Sequence, residues 1–360
     1  MVNLQKAEEM LIQNLEVKLM SEDMDRWIEC LRAVPHGKYV PLTYKPSFIE
    51  YQAAYFSDVY DEYRDISLVL YRGGKRVGIW PLCLYKKEEK IYFGSLGGYI
   101  AEPLFVDLPK AEAQRNVIQK ILKVLVTIIE SSKDFNDVLL SQIMIMDDGL
   151  NQWQRKWMEE GATCRKVTWQ AFADLSLGWD EIQSKMRRTN KYSVAKGQED
   201  YDIEIYDSDT DALSNVFREF HEMHRRISGR ETRSARTWEL QEKSIRDNNE
   251  QVGFDFVIFI RDKVTKELAG SALFATTPRT GLYCVAAYDR ERFSRPVGHI
   301  VQVVAMDYMK NKGIRWYEIG ERTYPGDEGS NQKLINIGSY KEGFATHIYP
   351  KIVMQLNTVR

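Results

Sequence analysis

Two periodicities alternate along this chain: short runs of β-branched and aromatic residues, and longer stretches with apolar residues three and four apart. The first kind predicts strands at Ile66–Tyr71, Arg76–Tyr85 and Lys90–Gly94, with Gly73-Gly74 folding the first two into a hairpin. A helix over about Lys110–Ser131 and a strand over Asp137–Ser141 follow. The same succession then returns. Strands at Asp255–Arg261 and Leu268–Phe274 flank a turn at Lys263–Lys266, a third strand runs from Gly281 to Tyr288, a helix covers 296–312, and a strand spans Arg315–Gly320. Gly313 ends that helix, because glycine accepts the positive φ a C-cap needs. Helical segments precede each copy, at Glu22–Ala33 and Ser47–Tyr60, then at Trp179–Gly197 and Asp209–Ile227.

Three strands, a helix and a strand thus occur twice without residue identity, and two copies of one α/β unit are the simplest account. A length of 360 residues also exceeds the usual single domain. The junction falls near Leu175-Ser176, giving domains 1–175 and 176–360, and no low-complexity linker separates them. A short junction predicts a cleft between the domains for a ligand.

The second copy carries the sharper chemical pattern. Arg295-Pro-Val-Gly-His-Ile300 opens a helix between two strands that an ordinary right-handed crossover makes parallel. The unpaired first-turn amides and the helix dipole predict an anion site formed by Arg295, Val297, Gly298, His299 and Ile300, with Gly298 admitting a phosphate close to the backbone.

Charge narrows the partners. A net charge of −2 argues against a general nucleic-acid binder. Locally, Lys185–Gly197 holds five Lys/Arg and no acid, and His221–Arg236 holds five Arg against two Glu. Both suit an anionic partner, or simply a solvated helix face. The four cysteines (Cys30, Cys83, Cys164, Cys284) have neither disulfide-frame nor zinc spacing, so no metal site is expected. The N-terminus lacks the apolar core of a signal peptide, and runs such as Ile121–Ile129 are too short to cross a bilayer. A cytoplasmic location is expected.

The second copy resembles the GNAT acyltransferases, whose corresponding helix begins Gln/Arg-x-x-Gly-x-Gly/Ala and cradles the pyrophosphate of coenzyme A. Arg295 and Gly298 match; Ile300 replaces the last small residue. Four stretches resemble the Fem-type branch more closely: Lys185–Gly197, Phe217–Arg230, Trp316-Tyr-Glu-Ile-Gly320 and Ser339-Tyr-Lys-Glu-Gly-Phe-Ala345. Glu318 stands where that branch usually has Asp. The resemblance implies two tandem GNAT-like domains, each a mixed, largely antiparallel sheet flanked by helices, with the donor on the second domain and the acceptor largely on the first. The long coiled-coil arm of larger Fem-type enzymes is absent, since only a short stretch separates Gly229 from the strand at Asp255.

Candidate residues follow. Lys341, set between Tyr340 and Phe344, matches the lysine that lines the Fem-type reaction site, where a cation stabilises the oxyanion of acyl transfer; the alternative is a surface lysine in a turn. Glu318 is a candidate proton acceptor or the partner of a salt bridge to Arg322. Tyr283 and Tyr288 are candidate donors to a leaving thiolate, or packing residues. Arg187, Arg188, His221, His224, Arg225 and Tyr340 are candidates for holding an anionic acceptor; His221 and His224, three apart, also suit a solvent-facing pair. Lys38-Tyr39 and Lys45 are further candidates for an acceptor's charge. Cys284, mid-strand among apolar residues, reads as inert core. Phe93–Ala101 is glycine-rich but no helix follows with a Lys-Ser/Thr, so it is not a P-loop.

Together these predict an N-acyltransferase with acyl-CoA as co-substrate, no tightly bound cofactor, and an amino sugar of a cell-envelope glycan or nucleotide-sugar precursor as acceptor. The alternatives are an aminoacyl-tRNA-dependent transferase acting on a peptidoglycan precursor, and a binding protein that kept the fold without the chemistry.

Overall fold

A computed structural model describes every residue except 1–2, 96–97, 212, 248, 250, 290, 292–295 and 359–360. The chain folds as two compact units. One comprises Met1–Val34, Phe48–Val167 and Pro350–Arg360; the other comprises Pro35–Ser47 and Thr168–Tyr349.

The first unit contains α1 (Leu4–Asn14), β1 (Val17–Leu19), α2 (Met24–Ala33), most of α3 (Pro46–Ser57), β2 (Glu62–Asp65), β3 (Leu68–Arg72), β4 (Lys75–Trp80), β5 (Cys83–Lys87), β6 (Lys90–Gly94), β7 (Leu104–Phe105), α4 (Ala111–Glu130), β8 (Val138–Met144) and α5 (Gln152–Glu159). The Gly73-Gly74 turn joins β3 to β4 as predicted, both glycines at positive φ. The single strand expected over Arg76–Tyr85 is two, because Pro81 has no amide to continue the ladder. Its halves join different sheets, β1-β3-β4-β7 and β2-β5-β6. Helix α4 buries Ile118, Ile121, Leu122, Leu125, Ile128 and Ile129, the spacing that predicted it, in a core with Trp153 and Trp157 of α5.

The second unit takes the end of β9 (Thr163–Asp174), then α6 (Trp179–Lys185), α7 (Arg188–Asp200), β10 (Tyr201–Tyr206), α8 (Leu213–Ser228), α9 (Ala235–Arg246), β11 (Asp255–Asp262), β12 (Leu268–Thr276), β13 (Thr280–Tyr288), α10 (Val297–Asn311), β14 (Trp316–Arg322) and α11 (Gln332–Glu342). Its strands lie in the order β10-β11-β12-β13-β14-β9, antiparallel except for β13 and β14, which run parallel as expected. Alternate residues face opposite helical layers. Phe256, Ile258, Ile260, Ala272 and Phe274 pack with Val297, Ile300, Val301, Met306 and Met309 of α10. Val257, Phe259 and Leu273 pack with Leu213, Phe217, Phe220 and Met223 of α8 and Trp238 of α9. Each fully buried side chain of this kind is worth about 1.5–3 kcal/mol. β15 (His347–Asn357) leaves this unit at Tyr349, and its Lys351–Asn357 portion pairs antiparallel with β8.

Two departures bear on function. The helix expected over Trp179–Gly197 breaks at Met186 and Arg187, both extended, where the Arg187 amide donates to the Gly343 carbonyl at 2.9 Å. Lys341 lies in the last turn of α11, not in a turn between elements. Among the described residues no helix is long and apolar enough to cross a membrane.

Residues 35–47 are fastened to the second unit by a buried ion pair. Lys45 Nζ lies 2.5 Å from Asp255 Oδ1, with both side chains less than a tenth exposed. Asp255 also accepts from Ser244 Oγ and from the Thr276 amide. Lys45 is thus consumed by the fold and does not face an acceptor. Removing one partner strands a buried charge, so Asp255→Ala should cost about 3–5 kcal/mol. Chemical denaturation measures this; a loss below about 1 kcal/mol, the ceiling for an ordinary exposed pair, would contradict the assignment.

Candidate active site

Three residue pairs hold the parallel strands together: Thr280 with Trp316, Gly281 with Tyr317, and Leu282 with Glu318. Beyond them the pairing stops, and the outer neighbours supply the reason. Along β12, Leu273 faces Val285 and Phe274 faces Tyr283, so Cys284 is an extra residue in β13. Along β9, Phe172 faces Glu318 and Ala171 faces Gly320, so Ile319 is an extra residue in β14. A bulge bends its strand and sharpens its twist. Two of them, directly past the last parallel pair and on opposite sides, part β13 from β14, and among the described residues no further pair joins the facing edges.

The first turn of α10 lies beside this opening. Its N-cap, Pro296, supplies no side-chain hydrogen bond, so the cap leaves the leading amides to another acceptor. Gly298 is favoured by close approach: a Cβ there would come 3.2 Å from the Tyr288 ring and 3.3 Å from the Tyr340 hydroxyl, so either would have to give by a few tenths of an ångström. Tyr340 donates to the Gly298 carbonyl at 2.7 Å, and the Tyr283 and Tyr288 hydroxyls lie 3.0 Å apart. Tyr317 donates to Gln302 Oε1 at 2.5 Å. Burial pushes Tyr283 up to about 12 and raises Tyr288, Tyr317 and Tyr340 well above the usual phenol value. All four therefore stay protonated near neutrality; Tyr317 and Tyr340 donate, and within the Tyr283–Tyr288 pair one hydroxyl donates to the other. Val297 and Ile300 are buried; the Val297 amide lies among the leading amides and can meet an anion, whereas the Ile300 amide, four residues past the N-cap Pro296, is turned to that residue's carbonyl and is not part of an anion site. Ile300 fits where the resemblance expects a small residue because Gly197 of α7 lies opposite; a Cβ at 197 would sit 3.0 Å from that of Ile300. Burial lowers the pKa of His299, whose ring stands edge-on to Tyr340 at 5.0 Å. Arg295 lies outside the described residues.

Lys341 reaches the opening from α11. Its side chain lies across Gly320, which has φ +122°; a Cβ at 320 would overlap Nζ and come 3.2 Å from Cε. Among the described residues no hydrogen bond or salt bridge engages Nζ. Burial lowers the lysine's pKa, and the charges of Glu318 and Glu321 oppose that shift. Arg187 and Arg322 hold the helix end through Glu342, at 3.5 and 2.9 Å. Glu318 is buried and makes no salt bridge with Arg322; its Oε2 accepts from the Tyr39 hydroxyl at 2.7 Å. Tyr39 is separated from it by 279 positions, and no local pattern marks the pairing.

The other candidates lie apart. Arg188 is exposed at the start of α7. His221, His224 and Arg225 sit on α8, against the sheet face opposite α10. His221 stacks on Trp238 at 4.4 Å and meets Glu231 at 3.0 Å, while Arg225 lies 3.8 Å from Glu231. His224 meets the edge of Trp238, and burial, then Arg233, lowers its pKa. The structure does not bring these three to Lys341. Burial pushes the Cys284 thiol up to about 12, a protonated and unreactive state. Among the described residues no three His, Cys, Asp or Glu side chains gather as a metal site needs.

No family model and no curated protein matches the sequence. Solved structures do. FemX superposes with a TM-score of 0.66 at 14% identity, over 92% of this chain and 96% of that one. A tandem GNAT protein from the clavulanic acid biosynthesis pathway gives 0.50 at 14%, covering 94% and 96%. The C-terminal domain of a putative lysylphosphatidylglycerol synthetase from Agrobacterium fabrum gives 0.56 at 10%, covering 93% and 92%. The chain has the Fem-like tandem GNAT fold; identities this low carry architecture alone.

The lysine's depressed pKa has a measurable sign. Between its folded value and the ordinary 10.5, the unfolded chain holds more protons, so stability rises with pH in that window. Lys341→Met removes the dependence. The variant should be more stable than the parent at neutral pH, with the gap narrowing as pH climbs through the window. Urea unfolding across a pH series reads this, and a widening gap would contradict it.

Proposed function

We propose that this chain is an N-acyltransferase that moves an acyl group from acyl-CoA to the primary amine of an amino sugar in a glycan precursor. The observation that carries this reading is the parted strand pair, with a lysine laid across it that no described residue hydrogen-bonds or ion-pairs, beside a helix start that its N-cap Pro296 does not cap. An acyl carbonyl held along the unpaired strand edges meets Lys341, whose ammonium stabilises the oxyanion of the tetrahedral intermediate. The leading amides of Val297, Gly298 and His299 suit the carrier's pyrophosphate.

Transfer requires that the attacking nitrogen be unprotonated. Glu318 takes a proton from the acceptor's ammonium; the nitrogen pair then forms the C–N bond and the C–S bond breaks. The departing thiolate receives the second nitrogen proton, either directly or through the Tyr283–Tyr288 hydroxyl pair, which recovers it from the nitrogen. Cys284 takes no part, so attack is direct, and rate comes from positioning and charge. The amino-sugar acceptor rests on the family resemblance and on the exposed cations Arg188 and Lys191. Four free cysteines fit a reducing, cytoplasmic setting.

One observation favours a second reading, transfer from an aminoacyl-tRNA. Exposed Arg188 and Lys191 lie one turn and one residue before Tyr192 on α7; Tyr192 is 74% exposed, and a cation–aromatic surface of this kind suits single-stranded RNA.

Free-thiol release from a panel of acyl-CoAs, with and without amino sugars, tests the first reading. Amine-dependent thiol release is expected, and Lys341→Ala should lower kcat by roughly 100-fold. Undiminished turnover in the variant would remove Lys341 from the chemistry. Consumption of charged tRNA with no acyl-CoA used would transfer the assignment to the second reading.

A further inference from the structure

The carboxylate proposed to take the acceptor's proton is tethered on one side only. Glu318 Oε2 accepts from Tyr39 at 2.7 Å, while no described residue donates to Oε1. Tyr39 itself has little freedom. Its ring stands edge-on to Phe172 at 5.4 Å, and Phe172 is the residue facing Glu318 across β9 and β14. On the C-terminal side, the Val40 amide donates to Thr280 Oγ1 at 3.0 Å and the Val40 carbonyl accepts from Thr277 Oγ1 at 2.9 Å. On the N-terminal side, the Gly37 carbonyl accepts from Trp316 Nε1 and from Arg315, each at 3.3 Å. The phenol is thus fixed to the starts of both parallel strands.

We propose that Tyr39 is a positioning residue for acyl transfer, holding Glu318 away from Lys341 so that Oε1 remains open to the acceptor's ammonium. This assignment rests on the acyltransferase reading above. A glutamate side chain turns about three single bonds, and Glu318 stands at the last position before its strand parts from β13. Lys341 is a cation that already senses its charge. Collapse onto that ammonium would join base and oxyanion-stabilising cation in one ion pair, and each would lose its task. Among the described residues no salt bridge joins them, and the Tyr39 hydrogen bond supplies the competing hold. With Oε2 occupied, the N–H bond of the acceptor breaks toward Oε1, an O–H bond forms there, and the electron pair stays on nitrogen for attack.

Tyr39→Phe tests this, because phenylalanine keeps the ring contact with Phe172 and loses only the hydroxyl. The variant should lower kcat by about tenfold or more, toward the roughly 100-fold that a misplacement of about 1 Å can cost, with KM for acyl-CoA unchanged. In a Glu318→Gln background the same substitution should have almost no effect, since the two act as one unit. Thermal unfolding alongside confirms that both variants are folded at the assay temperature. Additive losses in the double variant, or an unchanged kcat in Tyr39→Phe, would overturn the positioning role in an active enzyme. A parent protein that transfers nothing from acyl-CoA or charged tRNA would overturn the acyltransferase reading, and this assignment with it.

Discussion

The candidate site depends on two β-bulges falling at one level of a sheet. Had only β13 carried its extra residue at Cys284, β14 would have been free to follow its bend and keep the pairing. The second extra residue, Ile319, is imposed from the other side by β9, so neither strand can track the other. Gly320 comes directly after it at a φ open chiefly to glycine, and the missing side chain leaves the place that Lys341 occupies. Parting the strands, exposing backbone groups and admitting a cation are therefore one geometric event.

Around that opening ion pairs, one of them buried, fix orientation. Glu342 is shared by Arg187 and Arg322, which fixes the end of α11 and with it both Tyr340 and Lys341. Lys45 and Asp255 pin the 35–47 segment from a fully desolvated position. Buried pairs of this kind add little net stability over apolar packing, and their usual benefit is a unique arrangement. Here that arrangement carries Tyr39 to Glu318 and ties the first residues of β13 to a segment far upstream in sequence.

Much of the architecture was legible because it rests on local periodicity. The hairpins at Gly73-Gly74 and Lys263–Lys266, the long α4, the helix from Val297 and the parallel strand at Trp316 all follow from spacing and turn chemistry. What escaped was set by distant partners. α1, α9 and β15 went unmarked, α5 did so although it is amphipathic and opens with an Asn151–Gln154 capping box, and β9 is a strand largely by virtue of the neighbours it meets. The break at Met186–Arg187 reflects a bond to Gly343, which no window of sequence contains. Lys341 and Gly298 were found through a family-like pattern and Tyr283 from its place on the strand before the helix; Tyr340 touches Gly298, and the next residue, Lys341, lies across Gly320. The cationic run at His221–Arg236 looked like an anion site from composition, yet its histidines are engaged by Trp238 and Glu231 on the other sheet face. Charge counts do not register which face a helix presents.

The central claim is that the parted edges of β13 and β14, with the first turn of α10, receive an acyl carrier. Hydrogen–deuterium exchange with and without acyl-CoA addresses it directly, since amides without an internal partner exchange fast until a ligand covers them. Slowed exchange in the β13 segment beyond Leu282 and in Val297–His299, with α8 and α9 unchanged, is the predicted result. Exchange that slows only at α8 and α9, or nowhere while acyl-CoA is bound, would contradict it.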